Sequence, residues 1–311
     1  MRPLKTALGP YGHTQVLKDG RVVPAGLTLD FVEVSPMNAG FRKMVRNLEY
    51  DICEVAITTY LVAKEFHKRF TALPIPLNHM FHFGDVQVGS DAGIATPSDL
   101  AGKRVGVRAY TVTTGVWVRG LLETEYGVDS ASITWVTDDE EHVTEYRPPA
   151  NVVASDGASL VDLFADGAID AAFSGRAGLG RTNAATTRDF RPLFPAAELL
   201  DAAWYARTGI YPIHGLLCVR DDVLAEFPQL PRILFDAFAQ AKDVYLSDLA
   251  RNGPKNAEDE RWVAMGRIVG DPLPFGLDAN RRTIETLIDY AVTQKLVSKR
   301  PTLDELFVPI S

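Results

Sequence analysis

The most constraining feature of this sequence is a buried strand that runs into a helix through a threonine-rich turn. Val105 and Val107 are typical of a short buried strand, and an apolar helical pattern follows the turn. Such a unit is the building block of α/β folds, and it leaves backbone N–H groups free at the carboxyl edge of the sheet. Arg108 adds a permanent cation, so the stretch predicts a site for a carboxylate or phosphate group. In the simpler alternative, Thr113 or Thr114 only caps the helix and Arg108 lies in solvent.

The order of elements predicts two α/β lobes. The N-terminal part of the chain reads strand, strand, helix, strand, helix, which indicates a mainly parallel sheet covered by helices. Two extended, proline-containing segments, 73–88 and 210–219, then enclose a further α/β unit, so we expect the chain to leave one lobe and return to it. We assign residues 1–82 and 214–311 to lobe I and residues 83–213 to lobe II, with a ligand cleft between them.

Composition excludes several classes of function. The net charge is −8 and the sequence pI is about 5.3, which argues against nucleic acid as the main partner. The N-terminal residues lack the apolar region of a secretion signal, and no apolar run approaches membrane-spanning length, so we expect a cytoplasmic protein without a membrane partner. Cys53 and Cys218 lie in apolar runs and are expected to be small buried residues rather than a disulfide or a metal pair.

Several segments carry a resemblance to known proteins. Residues 97–107 and 163–172 resemble the type II periplasmic-binding-protein fold, in which they enter the second lobe and form a helix–glycine–strand unit. The chain is also similar, over nearly its whole length, to 4,5-dihydroxyphthalate decarboxylases and the binding-protein-like sequences grouped with them. The segments that carry this similarity are 50–56 with 58–60, 73–76, 116–122 with 125–128, 207–213 and 274–281. The resemblance implies a cofactor-independent decarboxylase of a hydroxylated, phthalate-type aromatic acid.

Such an enzyme must hold a carboxylate that stays on the substrate, and arginine offers bidentate geometry for that group. Arg108 and Arg176 are therefore candidates for binding, with Thr58 and Thr59 expected to face them from the other lobe. The full set of candidate substrate-binding residues is Arg108, Tyr110, Thr111, Thr113, Thr58, Thr59, Tyr60, Arg176, Ser174 and His82.

The reaction also needs a general acid that protonates the ring carbon. His13 and His214 are candidates because histidine titrates nearest to neutral pH and both lie in segments expected to border the cleft. Glu54, in the middle of a strand, is either a buried proton donor of raised pKa or a partnered structural residue. His79 and His82 would need a third ligand to bind a metal, which His13 or Glu54 could supply. We expect neither a metal nor an organic cofactor, because a para hydroxyl on the substrate can supply electrons to the ring carbon.

Other classes of function fit the same fold. A solute-binding protein of an ABC-type transporter would use the same cleft and the same anion-binding groups for an aromatic or small carboxylate, without chemistry. A cytoplasmic sensory or biosynthetic protein on this fold is the third class, because fold does not fix function. The expected partner is a small aromatic carboxylate, and the sequence leaves the oligomeric state open, a homo-oligomer included.

Overall fold

The computed structural model describes residues 2–181 and 186–310, and the chain divides into two units. Unit 1 contains the residues up to Met80, Ile213–Ile284, and the residues from Pro301 onward. Unit 2 contains Phe81–Pro212 and Glu285–Arg300. The lobe boundaries expected after residues 82 and 213 lie close to these divisions, whereas the sequence did not predict that residues 285–300 join unit 2.

Strands and helices alternate along the chain, and the helix after the first strand was not predicted, because the sequence pattern indicates two successive strands there. Unit 1 begins with β1 (Leu4–Ala7), α1 (Gly12–Lys18), β2 (Leu29–Phe31), α2 (Met37–Asn47), β3 (Ile52–Ala56), α3 (Ile57–Glu65) and β4 (Phe70–His79). Unit 2 follows with β5 (Val86–Gly89), β6 (Arg104–Gly106), α4 (Thr113–Tyr126), β7 (Thr134–Thr137), β8 (Val152–Ala154), α5 (Leu160–Ala165), β9 (Ala171–Phe173), β10 (Phe190–Pro192) and α6 (Ala197–Thr208). The chain then forms β11 (Ile213–Arg220), α7 (Asp221–Glu226), α8 (Leu230–Asn252), α9 (Ala257–Val269), α10 (Leu277–Thr293) and α11 (Leu303–Leu306).

The sheet of unit 1 has the strand order β2-β1-β3-β11-β4. β1 is parallel to β2 and β3, whereas β11 runs antiparallel to both of its neighbours, so the sheet is mixed. Apolar residues of β4 and β11 form one core with an apolar face of α8. These core residues include Leu73, Ile75, Leu77, Leu217, Val219, Leu230, Leu234, Phe238 and Ala241. The i, i+4 spacing on α8 places its members on one face of the helix.

The sheet of unit 2 has the order β10-β5-β9-β6-β7-β8. β9, β6, β7 and β8 are parallel, and β5 runs antiparallel to β9 and β10. Gly106 in β6 is required by packing, because a Cβ atom there would lie 2.6 Å from the Ile169 side chain and 2.9 Å from Leu160. Residues 285–300 join this unit through α4, where the rings of Trp117 and Tyr290 meet edge to face with centroids 5.7 Å apart.

The chain changes unit within each segment interpreted as a crossover, after Met80 and after Pro212, and each segment also contributes a strand to the sheet of unit 1. Residues 70–79 form β4, and Ile213 in β11 pairs with His79 at its end. Pro74 and Pro76 lie within β4, which is the last strand of its sheet, where a residue without an N–H group is tolerated. No helix among the described residues is long and apolar enough to span a bilayer.

The strand, turn and helix near residue 105 form as expected. The structure also decides against the alternative in which Thr113 or Thr114 only caps the helix and Arg108 lies in solvent. α4 begins at Thr113, and the residue that caps it is Val112, which has no side-chain capping bond. Thr113 and Thr114 are therefore helical residues rather than caps. Arg108 is 6% exposed, so it does not lie in solvent.

Tyr60, expected to contact a substrate ring, is completely buried in unit 1. Its hydroxyl donates to the carbonyl of Leu306 and accepts from the N–H of Ala72 at 3.2 Å. Its ring packs against Phe70 and Phe307 with centroids 5.9 and 6.4 Å away. This placement does not fit contact with a substrate, because every polar bond of the hydroxyl is made inside the core.

Replacing Tyr60 by Phe removes the hydroxyl and keeps the ring. We expect Tyr60→Phe to lower the free energy of unfolding by about 1–3 kcal/mol, because two buried backbone groups lose their partner. The matched control is Tyr50→Phe, since the buried Tyr50 hydroxyl has no hydrogen-bond partner among the described residues. Urea unfolding measures both variants. A Tyr60→Phe protein as stable as the wild type would contradict the structural role.

Candidate functional site

A buried carboxyl group lies at the carboxyl edge of the sheet in unit 1. Glu54 is 1% exposed, and its Oε1 accepts a hydrogen bond from the Tyr11 hydroxyl at 2.7 Å. Its Oε2 accepts from the backbone N–H of Gly9 at 2.9 Å. The contact forms because β1 and β3 are parallel neighbours, with Ala7 opposite Cys53, so the loop after β1 reaches the side chain of β3.

Two glycines make room for this carboxyl group. A Cβ atom at Gly9 would lie 2.7 Å from Glu54 Oε2, and one at Gly215 would lie 2.4 Å from Oε1. Thr14 holds the loop in place, because its hydroxyl accepts from the Tyr11 N–H at 3.0 Å and donates to the Gly9 carbonyl at 2.6 Å. The loop is thus shaped around the carboxyl group of Glu54.

Burial raises the pKa of Glu54 from 4.5 to about 7, although the hydrogen bonds from Tyr11 and Gly9 oppose the shift. Burial and the neighbouring Glu54 together raise the pKa of Tyr11 well above its ordinary value. Near neutral pH, a large fraction of Glu54 therefore carries a proton. When Glu54 is protonated, the proton fits on Oε1, because the N–H of Gly9 already donates to Oε2. The hydrogen bond with Tyr11 then reverses, so that the carboxyl group donates to the hydroxyl oxygen and the hydroxyl proton becomes available to another acceptor.

His13 lies in α1 rather than in a loop and is completely buried. Its ring stacks on Tyr11 with centroids 5.5 Å apart, and the rings of Tyr245 and Trp262 lie 6.3 Å away. Neither imidazole nitrogen has a hydrogen-bond partner in the part of the chain that the structure describes. Burial, with the nearby Arg261 cation, lowers the pKa of His13 to about 3. The ring is neutral at pH 7 and has no imidazolium proton to give.

The other candidates of unit 1 lie near strand ends. His214 is half-buried in β11, where the pairing with β4 shifts register between Ile213 and Gly215. It immediately precedes the glycine that makes room for Glu54. Thr58 and Thr59 are buried in the first turn of α3, directly after β3.

In unit 2, the turn between β6 and α4 binds a carboxylate of the chain itself. The backbone N–H of Tyr110 donates to Glu141 Oε1 at 2.7 Å. The N–H of Thr111 lies 3.3 Å from both carboxylate oxygens, and the Thr111 hydroxyl donates to Oε2. We call these three donors the Tyr110–Thr111 turn. The donors from which the sequence predicts an anion-binding site therefore bind Glu141 in this structure.

Two arginines accompany this turn. Arg108 is buried, and its Nη1 lies 3.3 Å from Asp139 Oδ2 and 3.5 Å from His142 Nε2. Arg119 is completely buried, and its Nη2 donates to the Tyr110 carbonyl at 2.6 Å while its guanidinium lies 3.9 Å from the centre of the Tyr110 ring. The Tyr110 side chain is therefore packed on Arg119 in the core, and only its backbone N–H reaches the carboxylate.

The remaining candidate substrate-binding residues of unit 2 differ in how far they are exposed to solvent. Thr113 is buried as the first residue of α4, whereas Arg176 is exposed in the short turn Gly175–Ala177. The N–H of Ser174 donates to the Asp85 carbonyl at 2.8 Å. His82 is buried, with its Nδ1 2.7 Å from Asp85 Oδ2.

The two histidines considered for a metal belong to different units, His79 to unit 1 and His82 to unit 2. No group of three or more His, Cys, Asp or Glu side chains that could hold a metal ion occurs within residues 2–181 and 186–310. The absence of a metal and of an organic cofactor stays a prediction.

Sequence reasoning missed three residues of these sites. Tyr11 is the partner of Glu54, and Arg119 lies behind the Tyr110–Thr111 turn. Glu141 belongs to an acidic run that is usually a solvated loop, but this glutamate is half-buried. Burial raises its pKa despite the hydrogen bonds from the turn.

Comparison with solved structures defines the class of protein. A putative periplasmic sulfonate-binding protein of an ABC transporter from Methylobacillus flagellatus superposes with a TM-score of 0.58 at 11% identity, over 99% of this chain and 92% of the other. The desulfurization enzyme DSZB gives 0.57 at 18% identity over 99% and 97%. A Candida albicans protein described as having the generic periplasmic binding protein fold gives 0.55 at 16% identity over 99% and 96%. The chain thus has the periplasmic-binding-protein-like α/β fold.

Sequence comparison is more specific. No family model matches the chain. A 4,5-dihydroxyphthalate decarboxylase of Comamonas testosteroni is 31% identical over 99% of this chain and 97% of its own length. A protein of the same name from Pseudomonas putida is 32% identical over 56% of this chain and 70% of its own length. The chain belongs to the 4,5-dihydroxyphthalate decarboxylase family.

The raised pKa of Glu54 makes stability depend on pH in a specific direction. Between pH 4.5 and about 7 the folded protein holds this proton and the unfolded chain does not, so the free energy of unfolding falls as pH rises through this range. We expect this contribution to total about 3 kcal/mol, and to be absent from Glu54→Gln, whose amide reproduces the protonated carboxyl group.

Denaturant unfolding of wild type and Glu54→Gln at a series of pH values measures the difference between them. Glu260→Gln, on an exposed position of α9, is the matched control and should follow the wild type. Parallel curves for wild type and Glu54→Gln would contradict the raised pKa.

Proposed function

We propose that this protein is a carboxy-lyase that removes CO2 from 4,5-dihydroxyphthalate or a closely related hydroxylated phthalate. The observation that carries the proposal is the relationship to the Comamonas testosteroni enzyme along 99% of this chain. The two sites described above supply the chemical groups that the reaction needs. We place this activity in the cytoplasm, with a small aromatic carboxylate as the partner and no nucleic acid or membrane.

The reaction replaces one carboxylate by a proton. The C–CO2 bond breaks, the ring carbon takes one proton, and the products are CO2 and 3,4-dihydroxybenzoate. The hydroxyl para to the departing carboxylate donates electron density to the carbon that is protonated. Neither a metal nor an organic cofactor is needed for this electron flow, so the protein's task is to hold the substrate and deliver the proton.

We assign the binding of the retained carboxylate to unit 2. The Tyr110–Thr111 turn offers two N–H groups and a hydroxyl, and it already binds a carboxylate. Arg108 supplies a nearby cation on the same loop. Such donors are fixed by the fold and lose little freedom when a ligand replaces Glu141.

We assign proton delivery to unit 1. In its protonated form, Glu54 gives its proton to the Tyr11 oxygen while Tyr11 passes its own hydroxyl proton to the ring carbon. The step leaves Glu54 ionised and Tyr11 neutral, and Glu54 then regains a proton from solvent. A pKa of about 7 suits this role, because the acid is protonated often enough at neutral pH and still able to donate. His214 is the alternative donor.

Turnover tests the proposal directly. We expect the purified protein to release CO2 and form 3,4-dihydroxybenzoate from 4,5-dihydroxyphthalate, in the presence of a chelator as well as in its absence. Phthalate is the matched control, since without a para hydroxyl it should bind and not react. Binding of 4,5-dihydroxyphthalate without release of CO2 would contradict the proposal and favour a solute-binding protein.

Kinetics of single variants test the assignment of the acid. Glu54→Gln and Tyr11→Phe should each lower kcat by about 100-fold or more, because each breaks the path of the proton, while KM changes by less than about threefold. His214→Asn should keep most of the activity. Normal kcat in the first two variants with loss of activity in His214→Asn would assign the proton to His214 instead.

A further inference from the structure

We propose that Glu141 is a built-in competitor of the substrate, whose carboxylate occupies the Tyr110–Thr111 turn and must leave it before a substrate carboxylate binds there. This inference rests on the proposed function and deepens it. It makes Glu141 a residue that determines the affinity and the charge of the ligand that the site accepts. It does not place Glu141 among the catalytic residues.

The geometry is that of a bound ligand rather than of a surface ion pair. Both oxygens of Glu141 are engaged, Oε1 by the N–H groups of Tyr110 and Thr111, and Oε2 by the N–H and the hydroxyl of Thr111. Hydrogen bonds to an ionised acceptor are about twice as strong as neutral ones. The same donors fit any carboxylate, including one on an aromatic ring.

Arg119 explains why the turn favours an anion. It donates to the Tyr110 carbonyl, which belongs to the same peptide group as the Thr111 N–H. A cation at the carbonyl end strengthens the N–H at the other end as a donor. Within the described ranges no carboxylate pairs with Arg119, and its Nη1 is buried without a hydrogen-bond partner. The positive charge behind the turn is therefore not neutralised by an ion pair of its own.

The segment that carries Glu141 lies outside the helices and strands, and the N–H of Asp139 on it donates to the Arg108 carbonyl at 3.0 Å. This segment connects β7 to β8 and has no regular secondary structure between residues 138 and 151. Burial raises the pKa of Glu141 in spite of its hydrogen bonds, so the ionised side chain is held at a cost of desolvation. A ligand carboxylate takes over the donors of the turn and returns Glu141 to water.

A different role for Glu141 would be to fasten the loop only. If Glu141 only holds its loop in place, its removal lowers the stability of the protein and leaves ligand affinity unchanged or weaker. A competitor predicts tighter binding of any carboxylate that fits the turn. The two roles are therefore separated by the sign of the change in affinity.

Calorimetric titration with phthalate, which does not react, measures that sign. We expect Glu141→Gln to bind phthalate at least 10-fold more tightly than the wild type, because the neutral amide is a weaker acceptor and adds no charge repulsion. Glu140→Gln, on the exposed neighbouring position, is the matched control and should bind as the wild type does. Affinity that is unchanged, weaker or undetectable in folded Glu141→Gln would overturn the proposal.

Hydrogen exchange of the wild-type protein gives a second test that needs no variant. Saturating phthalate should speed the exchange of backbone amides in residues 138–146, because the segment loses the contact between Glu141 and the turn and keeps only its remaining contacts, such as that of Asp139 with Arg108. Slower or unchanged exchange there would also overturn the proposal. Turnover of 4,5-dihydroxyphthalate is scored separately, so tighter phthalate binding by Glu141→Gln without wild-type turnover would refute the decarboxylase function and leave the competitor in place.

Discussion

The proposed chemistry depends on one buried acid, the carboxyl group of Glu54 held between the Tyr11 hydroxyl and the Gly9 N–H. Its position follows from the parallel pairing of β1 and β3, which brings the first loop to the side chain of the third strand. Glycines at 9 and 215 are required because a larger residue would collide with the carboxylate oxygens. Burial then moves the pKa into the range where a proton can be held and released at neutral pH.

Unit 2 also uses a strand followed by a turn and a helix, but there the turn binds a carboxylate. β6 runs into α4 through a turn whose N–H groups bind a carboxylate, as the carboxyl edge of an α/β sheet commonly does. Arg119 Nε donates to Gln294 Oε1 at 2.7 Å, and this bond fixes the arginine behind the turn. Gln294 directly follows α10 and belongs to residues 285–300 of unit 2. A long-range contact thus holds the donors in place.

The sequence predicted the local part of this architecture and missed the part that depends on distant residues. The strand and helix around Val105 follow from hydrophobic periodicity and from the turn between them, whereas the sequence left open whether Arg108 lies in solvent. Glu54 was recognisable because a carboxylate in an apolar strand needs a partner or a proton. The partner itself was not, since Tyr11 lies 43 residues away and only strand order brings the two together.

Other errors have the same origin. His13 looked like a loop residue beside a cleft, but α1 begins one residue earlier and turns the ring into the core. Glu141 looked like a solvated charge because an acidic run gives no sign of the donors 30 and 31 residues upstream. The prolines of segment 73–88 indicated a crossover, and only the order of strands reveals that its first part is an edge strand. The sequence thus shows which residues have reactive groups, whereas the order of the strands decides which of these residues contact each other.

The most direct measurement is the titration of the Glu54 side chain itself. Carbon-detected NMR of protein labelled at the glutamate carboxyl carbons, compared with Glu54→Gln, assigns its resonance and follows it with pH. The account predicts a midpoint near 7 for the signal that the variant lacks. A midpoint near the ordinary value of 4.5 would mean that Glu54 is ionised throughout the neutral range, and the proposed path of the proton would be contradicted.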